Sequence, residues 1–411
     1  MAMTPTTLSA DLCSLFWDFF KNNNGLREIK GAMNNRHIGA AAKIQKYLDQ
    51  QNKIPLNIGI TGESGSGKSS VVNAFIGLDN RDMRAAPTGC IETTMEVTPY
   101  AHPNYPNVTL WDLPGIGTTK FPADKYLKHV EFEKFDFFII ISETRFREND
   151  VKLAKEIQKM EKKFYFVHSK IDNDLNAEEK SQRDFSVEKT LARIRENCVQ
   201  GLQEQGVAAT VFLVSSFDLH LHDFPLLQQT FERELPANKR DTLLLAVPNI
   251  NLEIINRKKV AFQANLKYYA GLSAVGAAVP LPGLSGAVDL SLLVDVANIY
   301  AVGFGLDKPS LERLAATSDV PLSDLMAVIK SPLAAVEITS DLIVKMLTTF
   351  TITSLSMMAE EGLKYIPLLG IPVAAIISFT TTYKGLSMFL NTFTDDAQRV
   401  FNKALGLDTS V

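Results

Sequence analysis

Residues 56 to 69, LNIGITGESGSGKS, decide the fold of this chain. The apolar run 56–61 has the length of a buried strand, and a helical segment, SSVVNAFIG, follows the stretch. The residues between them fit the Walker A pattern, in which glycines let successive backbone N–H groups turn inward around a phosphate. The amino-terminal end of the helix faces the same anion. The sequence therefore predicts a phosphate-binding loop between a strand and a helix.

Each residue of this loop has an expected role toward a nucleotide. Lys68 is expected to bridge the β- and γ-phosphates, which also makes it a catalytic candidate, and Ser69 is expected to place its hydroxyl on Mg²⁺. The remaining residues are expected to surround the phosphates: Gly62, Glu63, Ser64, Gly65, Ser66, Gly67 and Ser70.

A second motif, Asp112-Leu113-Pro114-Gly115, directly follows the apolar run VTLW. A carboxylate at the carboxyl end of a strand can hold Mg²⁺ through water, and the Gly115 N–H can reach the γ-phosphate. We therefore expect Asp112 to be a metal residue and this loop to sense the γ-phosphate.

A third motif, Ser169-Lys170-Ile171-Asp172, predicts which base is bound. Guanine presents N1–H and the N2 amino group side by side, and one carboxylate accepts both, whereas adenine presents a lone pair at N1. Asp172 is thus expected to select guanine, with the Lys170 stem along the base and Ser169 tying this loop to the phosphate loop. Ser215 and Ser216 follow another apolar run, where backbone N–H groups can meet the guanine O6 atom.

Residues 85–99 have the length and place of a first switch. Thr93 or Thr94 is expected to close on Mg²⁺ and the γ-phosphate, and spacing does not decide between them; Thr94 is our candidate for the metal site and for catalysis. Glu92 is the carboxylate in their immediate neighbourhood.

Ile116 stands where Ras-like proteins use a glutamine to orient the attacking water, and an aliphatic side chain cannot do so. Two interpretations follow. Either a group from elsewhere in the switch, from a partner subunit or from the nucleotide itself completes hydrolysis, or the chain is a nucleotide-gated interaction module that binds GTP or GDP with negligible hydrolysis.

Short apolar runs alternate with helical periodicity up to residue 235, which favours an α/β domain with a mostly parallel sheet. After Pro248 helical periodicity dominates, and residues 11–50 show it too. We therefore expect a helical arm at 1–50, a nucleotide-binding domain at 51–240 and a helical domain at 241–411, with the two helical regions packed together. The apolar runs are 56–61, 95–100, 108–112, 136–142, 164–169 and 211–216, and the helical segments between them are 68–77, 148–162, 186–205 and 223–235.

Composition excludes several classes of function. The 411 residues carry a net charge of −4, so no basic field is available for a nucleic acid, and we expect no nucleic-acid partner. Cys13, Cys90 and Cys198 are widely spaced, which suggests neither a disulfide framework nor a zinc site and favours a reducing compartment such as the cytoplasm. The first residues predict neither a secretory signal nor, with Ala at position 2, myristoylation.

Two apolar stretches raise the question of a membrane. Residues 365–383 carry no charge over the length of a spanning helix, but Pro367, Gly370 and Pro372 interrupt them. Residues 271–288 are interrupted in the same way by a Pro-Leu-Pro-Gly turn. A buried helical hairpin is our prediction for these stretches, and a peripheral membrane contact or a true span is the alternative.

In these motifs and in the segments around them, the chain resembles the immunity-related (interferon-inducible) GTPases over essentially its whole length. The stretches that carry the resemblance are LNIGITGESGSGKSSVVNAFIG, IETTMEVTPYAHPNYPNVTLWDLPGIGTTKF, FDFFIIISETRFRENDVKLAKEI, KKFYFVHSKID, VFLVSSFD with DFPLL, ELPANKR and FGLDKPSLERLA. Its Gly-Lys-Ser loop is similar to that of the effector subclass.

The resemblance implies a Ras-like P-loop GTPase domain on an all-α domain built from both chain ends. It implies GTP and GDP with Mg²⁺ as ligands, the roles given above for Lys68, Ser69, Asp112 and Asp172, and a catalytic role for Glu92. It also implies a homodimer or oligomer formed through the nucleotide-binding faces in the GTP state, with related family GTPases as further partners. Recruitment from the cytoplasm to intracellular membranes, and cell-autonomous defence against vacuolar pathogens, are implied as well. The chain departs from the family in its missing acylation signal and in the more apolar character of residues 267–304 and 351–390.

Overall fold

The structure is a computed structural model that describes residues 14–15, 18–19, 37–89, 96–114, 130–143, 148–277, 284–347 and 373–407. The chain divides into two compact units, one formed by residues 54–251 and the other by residues 1–53 together with 252–411. The sequence had suggested boundaries after 50 and 240. The second division falls later because a helix at Ala237–Ala246 packs on strands of the first unit.

The unit at 54–251 is built on a six-stranded sheet. Its strands are β1 (Leu56–Gly62), β2 (Thr98–Ala101), β3 (Val108–Asp112), β4 (Phe137–Ser142), β5 (Lys163–His168) and β6 (Val211–Leu213). The order across the sheet is β2-β3-β1-β4-β5-β6, with β2 antiparallel to β3 and all other neighbours parallel. The predicted α/β fold with a mostly parallel sheet is confirmed.

Helices connect the strands and form the other unit. Along the described residues they are α1 (His37–Asn52), α2 (Lys68–Phe75), α3 (Glu148–Lys159), α4 (Ile171–Ser181), α5 (Val187–Glu204), α6 (Phe224–Glu234), α7 (Ala237–Ala246), α8 (Leu252–Ala277), α9 (Leu284–Gly303), α10 (Lys308–Ser318), α11 (Leu322–Ala327) and α12 (Val373–Ala404), with a short 3₁₀ turn at Phe132–Lys134. The helical segments expected between the strands are α2, α3, α5 and α6, whereas α4 and α7 were not predicted.

Apolar side chains cover both faces of the sheet, as the unbroken apolar run of β4 requires. Phe138 packs on one face in a cluster that includes Leu153 of α3 and Leu202 of α5. Its neighbour Phe137 points to the opposite face and contacts the ring of Phe231 on α6, with 4.8 Å between the ring centroids. Because every residue of β4 is buried, the carboxyl ends of the central strands are held in fixed positions.

The second unit joins residues from both ends of the chain, as the fold class predicted. Phe19 is 5% exposed and packs with Ala270 and Ala274 of α8 and with Phe379 of α12. Helices α8 and α12 also share buried hydroxyl contacts, since Ser273 Oγ lies 2.5 Å from Ser378 Oγ and accepts a hydrogen bond from Thr382.

The stretches for which a membrane was considered lie partly outside the described residues. Residues 365–372 and the turn at 278–283 are not described, whereas the flanking residues belong to α8, α9 and α12. Within the described part, one helical stretch, Leu290–Ser318, has the length and apolar composition of a membrane span, and 44% of its apolar 18-residue window is buried. It begins within α9 and ends at the last residue of α10.

Candidate functional site

The phosphate loop leaves the buried strand β1 through a glycine that admits no side chain. Gly62 has φ +143°, and a Cβ atom there would lie 2.1 Å from the carbonyl oxygen of Ile141 on β4. Gly65 and Gly67 also have positive φ, at +82° and +90°, and Gly67 precedes the first residue of α2. The loop thus adopts a backbone path that glycine permits and other residues rarely follow.

Two predicted ligands of the phosphates and the metal lie at the start of α2. The Nζ atom of Lys68 donates to the carbonyl oxygen of Glu63 at 2.8 Å, so the side chain folds back over the loop. Ser69 Oγ donates to Asp112 Oδ2 at 2.6 Å, and both residues are buried. A hydroxyl and a carboxylate side by side are hard oxygen donors, which is the donor set that fits Mg²⁺.

The negative charge of Asp112 affects the pKa of a residue on the neighbouring strand β2. Burial, together with this carboxylate, raises the pKa of Tyr100 on β2 above its usual value. Backbone hydrogen bonding holds Asp112 in register, since the next residue, Leu113, donates its N–H to Ile60 of β1 at 3.0 Å.

The base-reading motif contacts the phosphate loop directly. Ser169 Oγ donates to the carbonyl oxygen of Ser66 at 2.6 Å, and Lys170 Nζ donates to the carbonyl oxygen of Gly65 at 2.8 Å. Lys170 also forms an ion pair with Glu143. The short hydroxyl of Ser169 therefore reaches the phosphate loop, because Ser169 is buried directly against it.

Two polar atoms at this junction have no hydrogen-bond partner among the described residues. They are Ser66 Oγ in the phosphate loop and Asp172 Oδ1 in the first turn of α4, and both atoms are buried. A buried carboxylate oxygen without a donor is costly unless a ligand supplies one. The guanine amino and imino groups are donors of the required kind.

The remaining predicted residues differ in how they are placed. Ser215 is buried and its Oγ accepts from the N–H groups of Phe217 and Asp218, which shapes the loop after β6; Ser216 is half-buried beside it. Ser64 is exposed on the loop, and Ser70 is half-buried within α2. The candidates of the two switch segments, Glu92, Thr93, Thr94, Gly115 and Ile116, lie outside the described residues.

Two residues that support the site were not predicted from the sequence. Glu143 follows the last residue of β4 and pairs with Lys170. Asn149, on α3, donates through Nδ2 to Glu63 Oε1 at 3.3 Å. The position of Glu143 at the carboxyl end of a parallel strand, where open α/β sheets place ligands, was a signal that could have identified it. Asn149 has no comparable signal in the sequence.

The chain is similar to known proteins over most of its length. The profile of the family described as Interferon-inducible GTPase (IIGP) matches residues 23–404. The chain is 43% identical over 368 residues to Interferon-inducible GTPase 5 of Bos taurus, covering 89% of this chain and 79% of that protein. It is 38% identical over 371 residues to Interferon-gamma-inducible GTPase 10 of Mus musculus, covering 90% of this chain and 86% of that protein.

Among solved structures, Toc33 from Arabidopsis thaliana in complex with GDP and Mg²⁺ is similar with a TM-score of 0.30 and 14% sequence identity. The match covers 44% of this chain and 79% of that one. The two interferon-inducible GTPases cover 89% and 90% of this chain and therefore match residues of both compact units.

Proposed function

This chain belongs to the interferon-inducible GTPase family, and from that membership we propose that it binds GTP and GDP with Mg²⁺ and hydrolyses GTP. One observation carries the proposal. The side chains of Ser169 and Lys170 donate to carbonyl groups of the phosphate loop, which supports a single site made of a phosphate cradle and a base-reading carboxylate. Asp172 belongs to the same motif, and its buried Oδ1 atom has no hydrogen-bond partner in the part of the chain that the structure describes.

Phosphate binding follows from the loop and the start of α2. Inward-facing backbone N–H groups and the Lys68 ammonium supply the positive charge for a polyphosphate. Ser69 and Asp112 would hold Mg²⁺, which when bound neutralises charge on the phosphate oxygens. For Lys68 to reach the phosphates, its Nζ atom leaves the Glu63 carbonyl group to which it now donates.

Guanine selection follows from the charge and placement of Asp172. An ionised carboxylate accepts from N1–H and the N2 amino group of guanine, whereas it faces a lone pair on adenine. Ser215 and Ser216 are proposed to present backbone N–H groups to the guanine O6 atom. The site is thus proposed to bind GTP and GDP in preference to ATP.

Hydrolysis is proposed to need a second copy of the chain. With Ile116 unable to orient water, Glu92 and Thr94 of the first switch and a partner docked on the nucleotide-binding face are proposed to complete the reaction. This proposal extends to homo-oligomers in the GTP state, association with related GTPases, and peripheral recruitment from the cytoplasm to intracellular membranes in cell-autonomous immunity.

Single-turnover phosphate release over a concentration series tests hydrolysis. A rate per molecule that rises with protein concentration supports assisted GTP hydrolysis, and Lys68→Ala is expected to abolish it. A flat rate near zero, with tight GTP binding retained, contradicts hydrolysis and favours the nucleotide-gated interaction module that Ile116 suggests. Sizing the same samples with GDP and with a non-hydrolysable GTP analogue shows whether assembly requires the triphosphate.

A further inference from the structure

A buried histidine lies directly before the base-reading motif. His168 is the last residue of β5 and is 4% exposed. Its Nε2 atom lies 2.7 Å from Asp174 Oδ2 on α4, and its Nδ1 atom lies 3.9 Å from Cys198 Sγ on α5. The backbone of His168 is fixed as well, because its carbonyl group accepts from the Val214 N–H at 2.8 Å. One imidazole therefore joins a rigid strand to the two helices that follow it.

Helix α4 has few other anchors. Ile171 is its one fully buried residue, and Leu175 packs partly against the core. The helix begins after Lys170, which has φ +57° and makes no side-chain cap. A further ion pair, from Arg193 to Glu178, is largely exposed, and such pairs contribute little. The backbone of the first turn is held by the Ile171 N–H, which donates to the Val214 carbonyl group at 3.3 Å. The contact between His168 and Asp174 is thus the part-buried side-chain anchor of this turn.

That first turn also carries the residue proposed to read the base. Asp172 and Asp174 are two positions apart in one helix, so their side chains project about 200° from each other. His168 holds the Asp174 side of the turn, and the Asp172 Oδ1 atom is buried near the opposite side without a partner among the described residues. A rotation of the first turn would therefore move the Asp172 carboxylate away from the plane of the base.

We propose that His168 and Asp174 form a positioning pair that sets guanine selectivity by fixing the Asp172 carboxylate. The inference rests on the proposed function of this site. Two parallel hydrogen bonds to N1–H and the N2 amino group need both carboxylate oxygens in the base plane, and bidentate contacts of this kind are sensitive to orientation. A loosely held first turn would still permit nucleotide binding through the phosphate loop while losing discrimination at the base.

The electrostatics of the pair agree with this role. Burial alone lowers the pKa of His168, but the hydrogen bonds with Asp174 and Cys198 outweigh it and raise the pKa to about 9. The imidazole is then protonated at neutral pH, and it donates a charge-assisted hydrogen bond to Asp174.

Inosine nucleotides provide the test, because they keep N1–H and lack the N2 amino group. In the full chain, Asp174→Asn is expected to weaken GTP binding about tenfold and ITP binding clearly less, so that the ratio of the two affinities falls toward one. In an Asp172→Ala background the same change should alter neither affinity. Glu178→Gln, which breaks the exposed ion pair on the same helix, is the matched control and should leave the ratio unchanged.

The histidine is tested by a graded pair of variants. His168→Gln keeps a donor for Asp174 and should retain more of the GTP preference than His168→Leu.

The outcomes separate this inference from the proposed function. A parent chain that binds GTP better than ITP and an Asp174→Asn variant with the same ratio overturn the positioning pair and leave guanine binding intact. Equal losses for GTP and ITP also overturn it, since they indicate a structural role only. A parent chain without affinity for guanine nucleotides overturns the proposed function itself.

Discussion

Asp172 is the residue on which base selection depends. Asp172→Asn replaces an acceptor with an amide, whose NH₂ group faces the donors of guanine but matches the carbonyl oxygen at position 2 of xanthine. The loss of two hydrogen bonds to a charged acceptor predicts that GTP binding weakens by about 100-fold or more while binding of xanthosine triphosphate improves.

Competition titrations with GTP, xanthosine triphosphate and ATP measure this change. ATP affinity is the internal control, because the phosphate loop is untouched. Unchanged GTP affinity in the Asp172→Asn variant would mean that another group reads the base.

Gly62 is the position at which a single methyl group should abolish the site. In Gly62→Ala the added Cβ meets the Ile141 carbonyl oxygen at 2.1 Å while φ is +143°, so strand β4 or the loop must move. We expect a loss of stability of about 3 kcal/mol and no measurable GDP binding, from urea unfolding and fluorescence titration.

Gly206→Ala is the matched control for that change. Gly206 has φ +73° with no atom within 4 Å of an added Cβ. The Gly206→Ala variant should lose about 1 kcal/mol of folding stability from backbone strain alone and should bind GDP normally. Equal GDP affinity in the two variants would show that the path of the loop does not depend on Gly62.

Among the secondary-structure elements, those with a strong pattern could be predicted and those defined by tertiary packing could not. Strand β4 lies in a nearly unbroken apolar run, β1 and β3 alternate apolar with polar or small residues, and the glycine pattern marks the phosphate loop. Helix α4 has one buried residue, Ile171, so its sequence shows too little periodicity to predict a helix. The base-reading motif was accordingly expected in a loop, whereas Asp172 lies in the first turn of that helix. Glu143 was missed because one acid after a strand forms no motif.

His168 links β5, α4 and α5, and its titration predicts how the stability of this region depends on pH. The folded pKa of about 9 lies above the unfolded value of about 6.5, so the folded state binds more protons between these two values. The stabilisation is therefore fully present below about pH 6.5 and is lost as pH rises through about 9. Its size is on the order of 3 kcal/mol.

Urea unfolding at pH 6, 7.5 and 9 measures this dependence. The sequence has two tryptophans, so a Trp17→Phe background leaves Trp111 on β3 as the reporter of the sheet unit. The stability difference between this parent and its Asp174→Asn variant should shrink as the pH rises. A difference that stays constant over the range would show that His168 does not titrate as described.

At the scale of the whole molecule, the helical unit depends on contacts between residues far apart in sequence. Helical periodicity in residues 11–50 predicted an arm that packs with the later helical region, but no local pattern could identify the residues in contact. The structure places Phe19 against α8 and α12, where its ring lies 5.5 Å from the ring of Tyr268 and 6.1 Å from that of Phe379. These contacts tie the beginning of the chain to its last third.

The contact between Phe19 and Gly271 predicts a non-additive pair of substitutions. Phe19→Ala leaves a cavity and should cost about 3 kcal/mol. Gly271→Ala is also expected to destabilise, because its Cβ would lie 2.4 Å from Phe19 Cε1. In the double variant the added methyl group enters the space that the ring has left, so the combined loss should be smaller than the sum of the single losses.

Thermal unfolding followed by circular dichroism measures the stability of all three variants. The control is Val260→Ala, at a site on α8 that is 65% exposed, and it should change stability by less than about 0.5 kcal/mol. Strictly additive losses would show that Phe19 and Gly271 are not in contact, and the two chain ends would then have to be joined through other residues.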